Sequence, residues 1–253
     1  MAEFQLKEKI AIVTGGAGGI GSRIATEYAK AGARVVVAGR NRENLDRVVA
    51  EIQALGGESV AIAADVTIPE QVDNLVTQTV EKFGRLDIMV NNAGGALFVK
   101  PPEVLSPDEW NAGIALNLTS VFLCSAAAGK VMIGQKSGNI INISSVAGIK
   151  DTPNFVHYGA AKAGVISLTK SLAASWGRHN ININCIAPGL TATEGVADWL
   201  PPDKDKDGRP VPPLKFPAGP EHVAHLAVFL ASEASERITG ECIPIRALMA
   251  GDR

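Results

Sequence analysis

Three side chains in the middle of the chain have the types and spacing needed to move a proton: Ser145, Tyr158 and Lys162. Tyr158 and Lys162 are four residues apart, so on a helix the phenol and the ammonium lie on one face. A phenol has a reference pKa of about 10, and an adjacent cation lowers that pKa by about 1–3 units. We therefore expect Lys162 to lower the pKa of Tyr158 and to make it an acid or base that works near neutral pH.

Ser145 follows an apolar, β-branched run that contains Ile140, Ile141 and Ile143. Such a run predicts a buried strand, and in parallel sheets the strand ends face the ligand cleft. From this position the Ser145 hydroxyl is expected to hold a substrate oxygen beside Tyr158. A Tyr-x-x-x-Lys pair alone is a weak motif, because an ordinary helix with an exposed tyrosine and lysine also contains it.

A glycine-rich loop connects the first predicted strand, Lys9 to Thr14, with a helix that continues from Ser22 to Lys30. Glycines let the backbone turn sharply and approach a pyrophosphate closely. The N-terminus of the following helix adds free N–H groups and the positive end of its dipole. The strand, loop and helix together predict a binding site for the phosphates of a dinucleotide.

The glycine spacing in this loop fits two registers. Gly16, Gly18 and Gly21 match G-x-G-x-x-G, whereas Gly15, Gly19 and Gly21 match T-G-x-x-x-G-x-G. The sequence leaves both registers open.

The residues after the second predicted strand, Arg34 to Ala38, indicate which dinucleotide binds. An acidic residue at this strand end binds the ribose 2′-hydroxyl, whereas a basic residue accommodates a 2′-phosphate. No Asp or Glu lies between Ala33 and Arg42. This pattern predicts a preference for NADP(H), with Arg40 as the 2′-phosphate ligand and Arg42 assisting. NAD(H) remains possible, because a solvated turn before a helix gives the same pattern.

Strands and helices alternate along the rest of the chain without a linker, repeat or low-complexity segment. Predicted helices over 43–55, 72–83, 158–176 and 221–231 alternate with predicted strands over 59–63, 87–90, 138–143, 182–187 and 241–246. This alternation predicts one domain over residues 1–253, with about seven parallel strands covered by helices on both faces. A proline-rich segment, about 195–220, is typical of a mobile substrate lid.

The composition excludes several classes of protein. A net charge of −2 over 253 residues argues against nucleic-acid binding. The N-terminus lacks the apolar core of a signal peptide. Cys124, Cys185 and Cys242 are too scattered for a disulfide framework, which favours a cytoplasmic protein. The uncharged stretch from Trp110 to Gly129 has the length of a membrane span, but its polar residues favour a helix buried against other helices.

Two patterns resemble metal sites, and for both we predict no metal. Asp203, Asp205 and Asp207 match the first half of a calcium loop, but Leu214 stands where its bidentate glutamate belongs. A pair of histidines, His222 and His225, has no third ligand nearby in the sequence. His157, next to Tyr158, either contacts the substrate or is an ordinary loop histidine.

The whole set of motifs resembles the short-chain dehydrogenase/reductase family over nearly the full length of the chain. The motifs lie in the family's order and spacing, with Ser145 thirteen residues before Tyr158: TGGAGGIG at 14–21, Asp65-Val66, NNAG at 91–94, Asn117, Ser145, YGAAK at 158–162 and Pro188-Gly189. Each motif alone is weak or moderate, but chance does not place all of them in register. The resemblance implies a Rossmann-type fold and a hydride transfer between a nicotinamide and a carbonyl or secondary alcohol.

The resemblance also implies a role for each motif residue. Tyr158 would exchange a proton with the substrate oxygen that Ser145 orients, while Lys162 grips the nicotinamide ribose and Asn117 anchors a relay water. The cofactor would be bound by residues of several loops: Gly15, Gly18, Gly19, Ile20, Gly21, Arg40, Asp65, Val66, Asn92, Ala93, Gly94, Tyr158, Lys162, Pro188, Gly189 and Thr193.

The family resemblance further implies a homotetramer or dimer and a small-molecule substrate, with neither nucleic acid nor membrane as a partner. The chain departs from the family after its last strand, where Ile245-Arg246-Ala247-Leu248 replaces the common Val-Asp-Gly-Gly. Two other functions remain open: an NAD-dependent catabolic dehydrogenase for an alcohol, sugar or steroid, and a non-catalytic NADP-binding sensor.

Overall fold

A computed structural model describes residues 4–200, 202, 204 and 208–247 and shows a single parallel sheet. Seven strands form it in the order β3-β2-β1-β4-β5-β6-β7. Their bounds are β1 Ile10–Thr14, β2 Arg34–Gly39, β3 Ser59–Ala63, β4 Ile88–Asn91, β5 Gly138–Ile143, β6 Ile181–Pro188 and β7 Cys242–Ile245. The reversal of strand order between β1 and β4 marks a doubly wound fold. The predicted α/β fold class is confirmed.

Helices cover both faces of the sheet. Their bounds are α1 Gly19–Lys30, α2 Arg42–Ala54, α3 Pro69–Phe83, α4 Pro107–Ile114, α5 Ser120–Gln135, α6 Val156–Trp176 and α7 Pro220–Ala231. Apolar residues of α1, α2 and α7 pack on one face, and those of α3, α5 and α6 pack on the other. Because both faces are covered, the central strands are buried, and β1 is apolar over four consecutive residues, Ile10 to Val13.

The sequence predicts one long helix after Asp108 that carries Asn117, and the structure differs from this prediction. Instead of one helix, α4 and α5 are joined by a π-helical turn, Ala115–Thr119, that contains Asn117. Ser106 caps α4 and exchanges hydrogen bonds with Glu109, which gives the helix a well-defined start. A π-turn inserts one extra residue and rotates the side chains that follow. Apolar periodicity does not show such an insertion.

The α4–α5 stretch is also the one described segment that passes a length and composition test for a membrane span. The helical stretch Pro107–Gln135 has a mean hydropathy of 1.5 over its best window, and half of that window is buried inside the protein. Core helices pass the same test. Here α5 packs against α3, α6 and the strands β4 and β5.

Close packing of α5 on α6 depends on one glycine. A Cβ at Gly129 would lie 2.5 Å from Cη2 of Trp176, near the end of α6. Ordinary carbon contacts are about 3.5–4.0 Å long, so the indole occupies the space that a larger residue would need. Gly134, five residues later on the same helix, has no atom within 4 Å of such a Cβ.

These two glycines form a matched pair for a stability test. We expect Gly129→Ala to lower the free energy of unfolding by about 1–3 kcal/mol, because the methyl group displaces Trp176. Gly134→Ala should leave it unchanged or raise it by up to about 1 kcal/mol, because alanine restricts the unfolded chain. Urea denaturation of both variants measures the two effects. Equal destabilisation would show that the Trp176 contact does not limit residue size.

Candidate active site

The carboxyl ends of β1, β4, β5 and β6 meet at a cleft of about 330 Å³. Parallel strands place all their carboxyl ends at one edge, so residues far apart in sequence converge there. The cleft is lined by most of the residues predicted from the motifs and by several others: Gly15, Gly18, Ile20, Asn92, Ala93, Gly94, Gly95, Ile143, Ser144, Ser145, Tyr158, Lys162, Pro188, Gly189, Leu190, Thr191, Thr193 and Val196.

Ser145, Tyr158 and Lys162 all line this cleft. Ser145 follows β5, and its hydroxyl accepts a hydrogen bond from the Ala147 N–H (3.1 Å) and donates to the Pro188 carbonyl (3.3 Å). Tyr158 and Lys162 lie on successive turns of α6, with the Lys162 Nζ 5.5 Å from the centre of the Tyr158 ring. The three side chains that the sequence indicated are therefore neighbours.

Lys162 is almost completely buried, at 3% exposure. Its Nζ donates a 2.8 Å hydrogen bond to the Ile143 carbonyl at the end of β5. Burial disfavours the charged form and lowers the pKa of Lys162 to about 8. An amine with this pKa gains and loses a proton near neutral pH, which suits a proton relay.

The structure contradicts the expected lowering of the Tyr158 pKa. Burial raises the pKa of Tyr158, and a hydrogen bond from Ser145 only partly opposes this rise. The physical reason is that Lys162 is itself desolvated and directs its Nζ to the Ile143 carbonyl. Spacing on a helix brings the two groups together, but their burial decides the direction of the pKa change.

Asn117 is fully buried in the π-helical turn and holds the loop after β4. Its Nδ2 donates to the carbonyls of Gly95 and Gly113 (both 3.0 Å), and its Oδ1 accepts from the Gly95 N–H (2.9 Å). Both amide donors are therefore engaged with the backbone, and one lone pair of Oδ1 remains. The hydrogen bonds of Asn117 are thus all with backbone groups, two with Gly95 of the loop and one with Gly113 of α4.

Gly94 separates Asn117 from Lys162 in the cleft. A Cβ at Gly94 would lie 2.8 Å from Asn117 Oδ1 and 3.2 Å from Lys162 Nζ. The neighbouring Gly95 has open space at the same position. Gly94 thus lets the loop approach both polar groups.

Backbone conformation distinguishes between the two registers of the glycine loop. Gly15 and Gly19 have φ values of +63° and +56°, a region that glycine adopts freely and other residues rarely do. A Cβ at Gly21 would overlap the Gly15 carbonyl, whereas a Cβ at Gly18 would meet nothing within 4 Å. The loop therefore requires glycine at all three positions of T-G-x-x-x-G-x-G. In the other register a Cβ at Gly16 would lie 2.6 Å from Val37 Cγ1, but Gly18 needs no glycine and contributes only to the lining of the cleft.

Thr14, which the motifs did not single out as a site residue, joins the glycine loop to the loop after β4. Its hydroxyl donates to the Val90 carbonyl and accepts from the N–H groups of Asn92 and Ala93. The Asn92 side chain in turn donates to the carbonyls of Thr14 and Gly15. The feature of the sequence that indicates this role is a threonine at the end of a predicted buried strand.

A second cavity of about 270 Å³ lies beside the first and contains the residues predicted to contact the adenosine: Arg40, Asp65, Val66, Ala93 and Gly94. Arg40 is exposed at the end of β2. Arg42, by contrast, is engaged with Asp46 at 2.8 Å and 2.9 Å. Burial acts to raise the pKa of Asp65, but hydrogen bonds from Thr67 and the charge of Arg40 lower it overall.

A buried polar network connects the strand ends with the helices beneath them. The Asn91 amide donates to Ser125 (2.9 Å) and to Asn142 (2.8 Å), and Asn142 donates to Thr169 (2.9 Å). The network links β4, β5, α5 and α6. Sequence reasoning missed it, because such polar residues are recognisable only when their partners are known.

His157 does not line the cleft. It is fully buried, its ring centre lies 5.7 Å from that of Phe98, and a Cβ at Gly113 would overlap it. Burial lowers the pKa of His157, and the charge of Glu109 opposes this. The suggestion that His157 contacts the substrate is therefore not supported, and its ring instead packs α6 against α4.

Across the described part of the chain, no group of three or more His, Cys, Asp or Glu side chains is arranged to hold a metal ion. Asp203, Asp205 and Asp207 of the calcium-like pattern lie outside the described residues, as does Leu248.

Comparison with known proteins identifies the family. The sequence model of the short chain dehydrogenase family matches residues 9–203, and the chain belongs to this family. It is an oxidoreductase with a Rossmann fold that acts on CH–OH and C=O groups. Members of the family bind nicotinamide cofactors.

Individual relatives act on different substrates. A 3-oxoacyl-[acyl-carrier-protein] reductase from Synechocystis sp. is 41% identical over 244 residues, which are 93% of this chain and 94% of the relative. D-threitol dehydrogenase from Mycolicibacterium smegmatis is 38% identical over 94% of this chain and 91% of the relative. Among solved structures, a 7α-hydroxysteroid dehydrogenase complexed with NADH and a 7-oxo bile acid is 32% identical with a TM-score of 0.90, covering 97% of this chain and 96% of that chain.

The burial of Lys162 predicts a pH-dependent gain in stability when it is replaced. Below about pH 8 the folded protein holds a buried ammonium, at a cost of roughly 3 kcal/mol relative to water. Lys162→Met should therefore raise the free energy of unfolding near neutral pH by about 1–3 kcal/mol. Between pH values near the folded pKa of about 8 and near the ordinary pKa of 10.5, the unfolded chain retains a proton that the folded protein releases. The wild type therefore becomes more stable as the pH rises, and the difference in free energy of unfolding between Lys162→Met and the wild type becomes smaller.

Urea denaturation at about pH 7, 8 and 9 measures this difference. Lys170→Met, at an exposed position on the same helix, is the control and should differ little from the wild type at each pH. A Lys162→Met variant that is less stable than the wild type near neutral pH would show that the hydrogen bond to Ile143 outweighs the burial of the charge.

Proposed function

We propose that this chain is an NADP(H)-dependent oxidoreductase that interconverts a carbonyl compound and a secondary alcohol. The observation that carries the cofactor preference is the end of β2, where the exposed Arg40 stands and a carboxylate is absent. A carboxylate at this position would repel a 2′-phosphate, whereas a guanidinium forms charge-assisted hydrogen bonds with it. When bound, the nicotinamide would accept or supply the hydride.

The glycine loop, the loop after β4 and the loop after β6 would hold this cofactor. Gly15, Gly19 and Gly21 keep side chains away from the space next to the N-terminus of α1, where a pyrophosphate fits. Asp65 and Val66 would contact the adenine. Further contacts would come from Asn92, Ala93 and Gly94 at the adenosine ribose, and from Pro188, Gly189 and Thr193 near the nicotinamide; Ile20 and Gly18 complete the lining.

Proton transfer would be the task of Tyr158. In the reducing direction its phenol gives a proton to the substrate oxygen, and Ser145 donates a hydrogen bond to the same oxygen. Lys162, with a pKa of about 8, would resupply the phenolate. In our proposal Asn117 supports this relay by holding the loop beside Lys162 and, through its free Oδ1 lone pair, a relay water.

For the substrate we propose a partly apolar small molecule. Leu190 and Val196 line the cleft near Tyr158. Val196 belongs to the segment of about 195–220, which we propose as a substrate lid. We propose that residues 1–253 form one domain. Leu214, another apolar residue of this segment, is 71% exposed. The similarity to 3-oxoacyl-carrier-protein reductases makes β-ketoacyl thioesters the first substrates to test, and that to threitol dehydrogenase adds polyols.

We also propose a cytoplasmic homo-oligomer, a tetramer or dimer, assembled on α5 and α6. Both helices expose uncharged faces: Phe122 on α5 is 49% exposed, and Ala160, Ala163 and Ser167 on α6 are exposed as well. Burying such a face removes apolar area from water without leaving a charge unpaired. A solution mass equal to one chain, measured by light scattering, would refute this proposal.

Arg40→Ala tests the cofactor preference. We expect a loss of NADPH affinity of about 10- to 100-fold with little change for NADH, because only NADPH has the 2′-phosphate. Arg42→Ala is the matched control and should weaken NADPH binding less, because Arg42 is already engaged with Asp46. Titration by cofactor fluorescence measures the affinities of the wild type and of both variants for NADPH and NADH. Equal losses of affinity for both cofactors after Arg40→Ala would refute the 2′-phosphate role.

Tyr158→Phe tests the proton transfer. Turnover of a ketone panel with NADPH should fall by about 100-fold or more while NADPH affinity is retained, because the change removes only the phenolic hydroxyl that transfers the proton. Tyr28→Phe is the control: the Tyr28 hydroxyl binds the Ala227 carbonyl in the core and does not reach the cleft. Similar turnover in Tyr158→Phe and the wild type would place the acid elsewhere.

A further inference from the structure

Two of the three cysteines lie directly opposite each other on neighbouring strands. Cys185 of β6 is the register partner of Cys242 of β7, and its N–H donates to the Glu241 carbonyl (2.8 Å), which holds this register. Opposed residues on paired strands point to the same face of the sheet. Neighbouring strands lie about 4.7–4.9 Å apart, which is within the range of Cα separations that a disulfide spans.

Both thiols belong to the same small cluster beneath α6. Cys185 is buried with Val121 and Val165, and Cys242 packs at the margin of this cluster. The Cys185 thiol donates its hydrogen bond to the Ile186 carbonyl (3.7 Å). Since both side chains meet on one face, a bond between them needs little movement of the backbone.

Cys242 is the accessible member of the pair. It is partly exposed and opens β7, the last strand in the sheet order, whereas Cys185 is buried on the penultimate strand. Gly240, two residues before Cys242, has φ +81° and lies in a bend before β7. A small oxidant can therefore reach Cys242 from solvent, while Cys185 is reachable only through Cys242.

The charges around the pair favour a thiolate on Cys242. The neighbouring Cys185 thiol lowers the pKa of Cys242, and Lys170 on α6 lowers it further, against the opposing effects of burial and Glu241. The neighbouring Cys242 thiol and burial raise the pKa of Cys185, although Lys162 acts in the other direction. Of the two thiols, Cys242 is thus the nucleophile.

From this geometry we propose that Cys185 and Cys242 form an oxidation site that peroxide converts to an intrachain disulfide between β6 and β7. Cys242 serves as the peroxide-reactive thiol and Cys185 as the resolving thiol. This site is separate from the proposed catalytic role of Tyr158 and does not depend on the cofactor assignment.

The oxidation balances with hydrogen peroxide as the only oxidant. The Cys242 thiolate attacks one peroxide oxygen, the O–O bond breaks, and hydroxide leaves and takes up a proton to form water. Cys242 is then a sulfenic acid. The Cys185 sulfur, giving up its proton, attacks the Cys242 sulfur, so that the S–S bond forms, the S–O bond breaks and a second water leaves. Two thiols are oxidised and one peroxide is reduced to two waters.

Peptide mapping of the full-length protein tests this proposal. After treatment with hydrogen peroxide and alkylation of the remaining thiols, trypsin places Cys185 in peptide 179–204, Cys242 in peptide 238–246 and Cys124 in peptide 86–130. We expect a crosslinked product of 179–204 with 238–246, lost on reduction. In a mixture of isotopically heavy and light protein, each crosslink should be wholly heavy or wholly light, as an intrachain bond requires.

Single-cysteine variants separate the two roles. In Cys185→Ser the sulfenic acid of Cys242 should persist and be trapped by dimedone. In Cys242→Ser, Cys185 should stay reduced. Cys124→Ser is the control: Cys124 is buried in another core cluster and burial raises its pKa to about 12, so this change should leave the crosslink intact.

Several results would overturn the proposal. One is full retention of all three thiols in the wild type under peroxide treatment that oxidises dithiothreitol. The others are a crosslink that contains Cys124, a crosslink of mixed isotopic mass, and oxidation of Cys185 in the Cys242→Ser variant. The peptide map of the wild type needs no substitution, so a variant that folds poorly leaves that test intact.

Discussion

A buried ammonium group is the constraint on which the active site depends. Lys162 lies inside the protein, and its Nζ is held by the Ile143 carbonyl at the end of β5. Burying a cation is costly, so the fold must supply the compensation through packing elsewhere. The gain is an amine whose pKa lies near 8, within reach of a proton exchange with Tyr158 at neutral pH. In the mechanism that we propose, function is thus obtained at the expense of stability.

The same strand end organises the neighbouring parts of the site. The Asn91, Asn142 and Thr169 network joins the ends of β4 and β5 to the helices beneath them. Asn117 then holds the loop after β4 through the N–H and the carbonyl of Gly95, and it also binds the Gly113 carbonyl of α4. Buried amides of this kind are costly unless every partner is present, so they specify one arrangement of strands, loop and π-turn.

Much of this could be predicted from the sequence, because its signals are local. Apolar runs and their spacing located seven strands in their order along the chain, and Gly138–Ile143 and Ser59–Ala63 match the predicted bounds. The π-turn at Asn117 was not predictable, because one inserted residue leaves the apolar pattern nearly unchanged. The pKa change of Tyr158 was predicted with the wrong sign, since helical spacing gives proximity but says nothing about burial.

Residue types and spacing therefore predicted the fold class and brought Ser145, Tyr158 and Lys162 to one sheet edge, because both depend on short-range periodicity and on the geometry of parallel strands. The family and the other site residues followed from the resemblance of the motifs to a known family. Only the folded protein decided which glycines need a positive φ, that His157 packs between helices, and that Cys185 opposes Cys242. Those properties arise from contacts between residues far apart in the chain. The same contacts remove water from the ionisable groups and so decide the direction of each pKa change.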